Sequence, residues 1–280
     1  ISKMSAQSVT PWPDDEPSLP APTRAAGARP WRVIGHGEVP NGVWRGSELA
    51  SQVSETLSSG WPELDAELPG GGWPRRSLTE ILTSQPAVME WRLIGRALGS
   101  VVAAGGEIVL IGPPRLPHLP GLAHEGLDQK RLILIQAQAP AERLWVTEQM
   151  IKSNAAGAVV AWLPQARQEQ IRRLQVCAQA CDALVFLCRP EAARHESSAA
   201  PLRVHASYGL DWELNVDLFK RRGPVHATPL VLPSVPGGLA AILTPRLRHP
   251  SRLFPLPEPV NAAVGSVAPR HRPAEHLAVH

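Results

Sequence analysis

"SLTEILTSQPAVMEWRLIG", Ser77 to Gly95, reads as a short strand, a tight loop and the opening of a helix. "LPGGGWPRR" just before it is a glycine-rich turn. A strand that feeds a helix through a short loop is where many nucleotide-binding proteins build a phosphate cradle. Such a cradle needs glycines so that backbone N–H groups converge, a lysine to neutralise charge, and Ser/Thr for Mg²⁺. "TSQPAVMEW" supplies none of these at the required places. Pro86 removes an N–H donor, and Glu90 brings a carboxylate to the helix start. That charge suits the helix dipole but repels a phosphate. Gly70–Gly72 cannot substitute, because the run precedes the strand and no lysine follows it; it reads as a turn.

Outward from this stretch the chain alternates. Strand-like runs stand at Leu78–Leu82, "EIVLIG" (Glu107–Gly112), "RLILIQ" (Arg131–Gln136), "GAVVAWL" (Gly157–Leu163) and "ALVFLC" (Ala183–Cys188). They are short and apolar on both faces, the pattern of central parallel strands. Helices are expected between them. Val88 to Ala104 carries Trp91, Ile94, Leu98 and Val101 on one stripe; Pro140 to Asn154 carries Leu144, Trp145 and Ile151. Arg167 to Cys181 places Ile171, Leu174, Ala178 and Cys181 on one face, with Arg167 and Arg172 away from it. "PLRVHAS" and "DWELNVDLFK" around "YGL" read as a terminal hairpin. Strands alternating with helices give an α/β fold with a parallel sheet. Trp91, Trp145 and Trp162 are expected in its core.

Composition narrows the function classes. The chain has 280 residues, enough for a substantial core, and no apolar run reaches a membrane span of roughly 18 residues. Pro11, Trp12, Pro13 and the acidic Asp14–Glu16 interrupt any secretory pattern, so the protein reads as cytoplasmic. The three cysteines, Cys177, Cys181 and Cys188, make no disulfide framework and read as small buried apolar side chains. Residues 43–222 hold 19 Lys/Arg and 19 Asp/Glu, so the net +3 belongs to the C-terminal tail. A basic pI therefore does not mark a nucleic-acid-binding core. Of 30 prolines, 18 lie outside 43–222. Residues 1–42 and 224–280 accordingly read as disordered segments flanking a domain at 43–223. No G-x-S-x-G, H-E-x-x-H or other catalytic set stands in the sequence.

The order of segments resembles the RecA-type core. "LDAELPGGGWPRRSLTEI" is similar to its opening, "WVTEQMIKSNAAGAVVAWLP" to its helix and magnesium-bearing strand, and "LRVHAS…LNVDLFKRRG" to its closing hairpin and basic exit. The departures are consistent. Thr83–Trp91 replaces the phosphate loop, Trp162 stands where the magnesium aspartate is expected, and Pro113 and Pro114 where the catalytic glutamate is expected. A narrower likeness covers residues 43 to 224: "VWRGSELA", "ELPGGGWPRRSLTEIL", "LWVTEQMIKSNAAGAVVAWLPQA", "RRLQVCAQ" and "LFKRRGP" resemble the ImuA family. These are bacterial accessory proteins of translesion DNA synthesis, related to RecA and to the division inhibitor SulA. The resemblance implies a RecA-like three-layer core with a degenerate nucleotide site, no cofactor and no catalysis. It also implies an SOS-induced role beside an ImuB-like protein, an error-prone replicative-type DNA polymerase and RecA, with nucleoid association after DNA damage.

Three groups of residues are candidate contacts. Lys220, Arg221 and Arg222 form a compact basic cluster at a strand exit, either a contact for DNA phosphate or an acidic partner, or a solvated strand end. Arg167, Arg172 and Arg173 form another modest basic face, either a contact or an exposed helix surface. Trp44, Arg45 and Gly46 sit at the domain border, as an interface anchor or folded back on their own core. Two other functions remain open: a SulA-like inhibitor acting on FtsZ, and direct DNA binding.

Overall fold

The "SLTEIL" strand sits at the centre of the sheet with both neighbours drawn from far along the chain. The computed structural model describes residues 55–223 and 228–252. In chain order the strands are β1 (Thr56–Leu57), β2 (Trp73–Pro74), β3 (Leu78–Thr83), β4 (Ile108–Ile111) and β5 (Leu132–Ile135). They continue as β6 (Ala158–Trp162), β7 (Leu184–Pro190), β8 (Leu202–Tyr208), β9 (Glu213–Lys220) and β10 (Leu230–Pro233). The α-helices are α1 (Pro62–Glu67), α2 (Met89–Ala103), α3 (Leu119–His124), α4 (Pro140–Ser153), α5 (Gln168–Ala178), α6 (Gly237–Ile242) and α7 (Pro245–Arg248).

Eight strands form one sheet in the order β10-β9-β8-β3-β7-β6-β4-β5. All pairings from β8 to β5 are parallel, and the β8–β9 and β9–β10 pairings are antiparallel. The expected α/β class, the five parallel strands and the terminal hairpin are thus present. β1 and β2 form a separate two-stranded antiparallel sheet around Gly70–Gly72. Gly72 is obligatory there, since a Cβ would lie 2.4 Å from the Leu57 carbonyl oxygen.

Helices cover both faces. On one, α2 buries Leu93, Ile94, Ala97, Leu98 and Val101 against Ile81, Leu110, Val160 and Phe186. On the other, α4 and α5 bury Leu144, Ile151, Ile171 and Leu174 against Val109, Val159, Val185 and Leu187. A strand apolar on both sides is what such a sandwich demands.

Three expectations need correction. Trp145 is 61% exposed, because it lies about 100° around α4 from Leu144 and points off the sheet. "RLILIQ" is an edge strand rather than a central one, with Ile133 and Leu134 exposed. The ordered chain also runs past residue 223: β10 pairs with β9 from Leu230↔Val216 to Pro233↔Glu213, and Leu232 is fully buried. Pro233 is tolerated because β10 is an edge strand that ends there. Residues 1–42 lie outside the described residues.

Candidate functional site

The loop after β3 turns sharply, with Ala87 in the left-handed region at φ 63. For a residue with a Cβ this conformation costs roughly 1–2 kcal/mol. α2 then begins without a side-chain N-cap. Its first turn directs Glu90 inward, where the residue is 1% exposed. Glu90 Oε1 accepts from the Trp162 indole N–H at 3.1 Å and faces the Thr83 hydroxyl at 3.3 Å. Oε2 is buried without a hydrogen-bond partner.

Burial pushes the Glu90 carboxyl above its ordinary pKa. The backbone N–H groups of Glu90 and Ala87, the Trp162 indole and the Thr83 hydroxyl act in the opposite sense. The chain's own carboxyl thus stands buried at the start of α2. Trp162 closes the space at the end of β6, with Trp91 tilted against it at 5.7 Å between ring centroids. Cys188, opposite Trp162 on β7, is fully buried, and burial raises its thiol pKa well above the ordinary value, with the Glu90 charge adding to the effect. At the carboxyl ends of β3, β6 and β7, the side chains of Thr83, Glu90, Trp162 and Cys188 stand together in the buried interior.

Beside this filled position runs an apolar groove of about 670 Å³, lined by Trp91, Leu116, Leu122, Pro236 and Leu239 among others. Arg92 builds one wall. Its Nε donates to the Ser234 carbonyl and hydroxyl, each at 3.1 Å, and its Nη2 donates to the Ser234 and Trp212 carbonyls. One guanidinium thus pins the segment after β10 to the β8–β9 turn.

On the opposite sheet face lies a buried ion network. Glu80 in β3 accepts from Arg189 Nη1 at 2.9 Å and from Arg203 Nε at 2.5 Å. Arg189 also pairs with Glu196 at 2.6 Å, and Arg203 Nη2 donates to the Ala193 carbonyl at 2.8 Å. Two carboxylates thereby face two guanidiniums, which is what permits charge at this depth. Its signal in the sequence was a charged residue inside each of three apolar strands.

The expected contact residues fare differently. Lys220 Nζ donates to the Ser198 carbonyl at 2.7 Å. Arg221 pairs with Glu67 Oε2 at 2.8 Å and also donates to the Glu67 carbonyl at the end of α1. Two of the three cations in "LFKRRG" therefore hold neighbouring chain, and Arg222 is left exposed. Arg173 bridges α5 to α4 through Glu148 at 2.8 Å, a carboxylate that also binds Lys152 at 2.6 Å, while Arg172 is exposed. No hydrogen bond or ion pair among the described residues joins the two basic groups. Trp44, Arg45 and Gly46 lie outside the described residues. Among those residues no helix is long and apolar enough to cross a membrane. No protein-family model matches the chain, and no curated protein matches it.

Proposed function

We propose that the chain is a non-enzymatic adaptor of SOS-induced, error-prone translesion DNA synthesis, built on a RecA-like core. It links an ImuB-like protein and an error-prone replicative-type polymerase to RecA on damaged DNA, in the cytoplasm and at the nucleoid. The observation that carries this reading is the Glu90–Trp162 contact. It occupies the strand–loop–helix position of a phosphate site with a carboxyl and an indole, so the sheet serves as a platform for other proteins. The engagement of Lys220 and Arg221 within the fold disfavours "LFKRRG" as a DNA site.

The test is UV-induced mutation frequency in a strain lacking the gene, scored beside cell length. A fall in induced mutation at normal cell length supports the adaptor. Unchanged mutation with lost damage-induced filamentation supports a SulA-like division inhibitor instead. ATP binding is expected to be absent or very weak; saturable micromolar binding of a labelled ATP analogue, read by fluorescence anisotropy, contradicts that.

A further inference from the structure

Among the described residues, β5 pairs with β4 alone, in unbroken parallel register from Ile108↔Leu132 to Ile111↔Ile135. The Ile135 carbonyl accepts from the Gly112 N–H at 3.0 Å. By the alternation of a parallel ladder, Ile133 and Ile135 turn their main-chain groups toward β4, and Leu132 and Leu134 turn theirs outward. The side chains are open too: Ile133 is 41% and Leu134 38% exposed, on opposite faces. Sheet edges are ordinarily blunted by shortness, a charge, a proline, a bulge or a covering element; β5 is short, at four residues. Leu132–Ile135 contains no charge, proline or bulge, and among the described residues no strand pairs with its outer side.

We infer that this edge pairs with the same edge of a second copy, antiparallel about a two-fold axis, so that one sheet runs through both chains. The reason for choosing a second copy is self-complementarity. In a register centred on Ile133, Leu132 stands opposite Leu134 of the other copy, and Leu134 opposite its Leu132. Both residues carry outward-facing main-chain groups, so each pair exchanges two hydrogen bonds. Ile133 then meets its own counterpart in the close, non-hydrogen-bonded pair. The same register sets Lys130 opposite Gln136 and Asp128 opposite Gln138, so no like charges meet across the strands. On the face of Ile133, half-buried Ile135, Val146 and Met150 continue the apolar surface beside the pairing. An isologous contact needs a patch that complements itself, and this one does. The inference does not depend on the adaptor reading.

Sedimentation equilibrium of the full chain over rising concentration tests it. The expected result is a monomer–dimer equilibrium. Ile133→Lys and Ile133→Glu each place like charges face to face across the two-fold axis, and each weakens association by about tenfold or more. Mixed in equal amounts, the two variants regain dimer, because lysine now faces glutamate. Unchanged thermal melts verify that both variants fold, as expected for an exposed position. A wild-type chain that stays monomeric at every concentration, variants that dimerise as wild type does, or a mixture that fails to recover, each overturns it.

Discussion

Trp162 and Glu90 are joined across 72 residues of sequence by an indole N–H that donates to a carboxyl oxygen at 3.1 Å. The contact fastens α2 to the end of β6. Trp162→Phe keeps the ring's bulk and deletes the donor, leaving Glu90 Oε1 with the Thr83 hydroxyl alone. The expected loss is about 1–3 kcal/mol in a urea titration, the cost of an under-satisfied buried polar group. In a double-mutant cycle with Glu90→Gln, the two losses are non-additive, because the residues share one interaction.

Glu90 also makes stability depend on pH. Burial raises its pKa in the folded state above the ordinary 4.5. Between those two values the folded chain binds the proton that the unfolded chain has released, so stability falls as pH rises through that window. Glu90→Gln removes this term. The variant is expected to gain on wild type as pH rises from the ordinary carboxyl range toward neutrality, with the gap narrowing again in acid. Parallel denaturant titrations across that range check it.

Glu80 is a different case, since its partners carry permanent charge. Glu80→Ala leaves Arg189 and Arg203 buried beside each other, with side chains 1% and 6% exposed. Breaking such a network costs about 3–5 kcal/mol, a large share of the roughly 5–15 kcal/mol that holds a domain folded. Soluble yield and the urea midpoint report it, and Glu80→Gln, which keeps the acceptor oxygen, is expected to fall between.

Arg92→Ala tests the wall of the apolar groove. Without the guanidinium, Ser234 keeps only its own N–H on the Trp212 carbonyl, while the chain further on stays tied to the β8–β9 turn through the Trp212 indole on the Leu247 carbonyl and Ser251 on Asp211. Hydrogen exchange at the end of β10 and in α6 is expected to accelerate, while α7, β3, β6 and β7 keep their protection. Equal acceleration everywhere contradicts the local role.

The two arginines at the end of β9 separate structure from contact. Arg221→Ala loses the pairing with Glu67 and is expected to lower the melting temperature. Arg222→Glu, at an exposed position, leaves the melt within about 0.5 kcal/mol of wild type. Under the adaptor reading it is the variant expected to weaken pull-down of partners.

What was legible in the sequence follows from the physics of each element. β3, β4, β6 and β7 are apolar on both faces, and nothing but a two-sided sheet accommodates that, so they could be read directly. β5 has the same composition, and no local signal separates an edge from an interior strand; only the sheet order does. β1, β2 and α3 are two to six residues long, too short for any periodicity. β10 was hidden by the prolines around it, because an edge strand can carry them. Glu90 was seen as a helix-start charge, but its burial depends on Trp162, whose position is set by a different β-α-β unit.

The central place of β3 has a consequence for synthesis on the ribosome. Arg189 and Arg203, on the two strands that flank it, lie 109 and 123 residues beyond Glu80. When β3 leaves the exit tunnel neither neighbour exists, and its six residues, every one buried in the finished sheet, have nothing to pair with. Such non-local pairing slows folding and prolongs exposure of a sticky segment. Until β8 emerges, the nascent chain carries an unpaired apolar strand, and a chain truncated before β8 is expected to lose solubility.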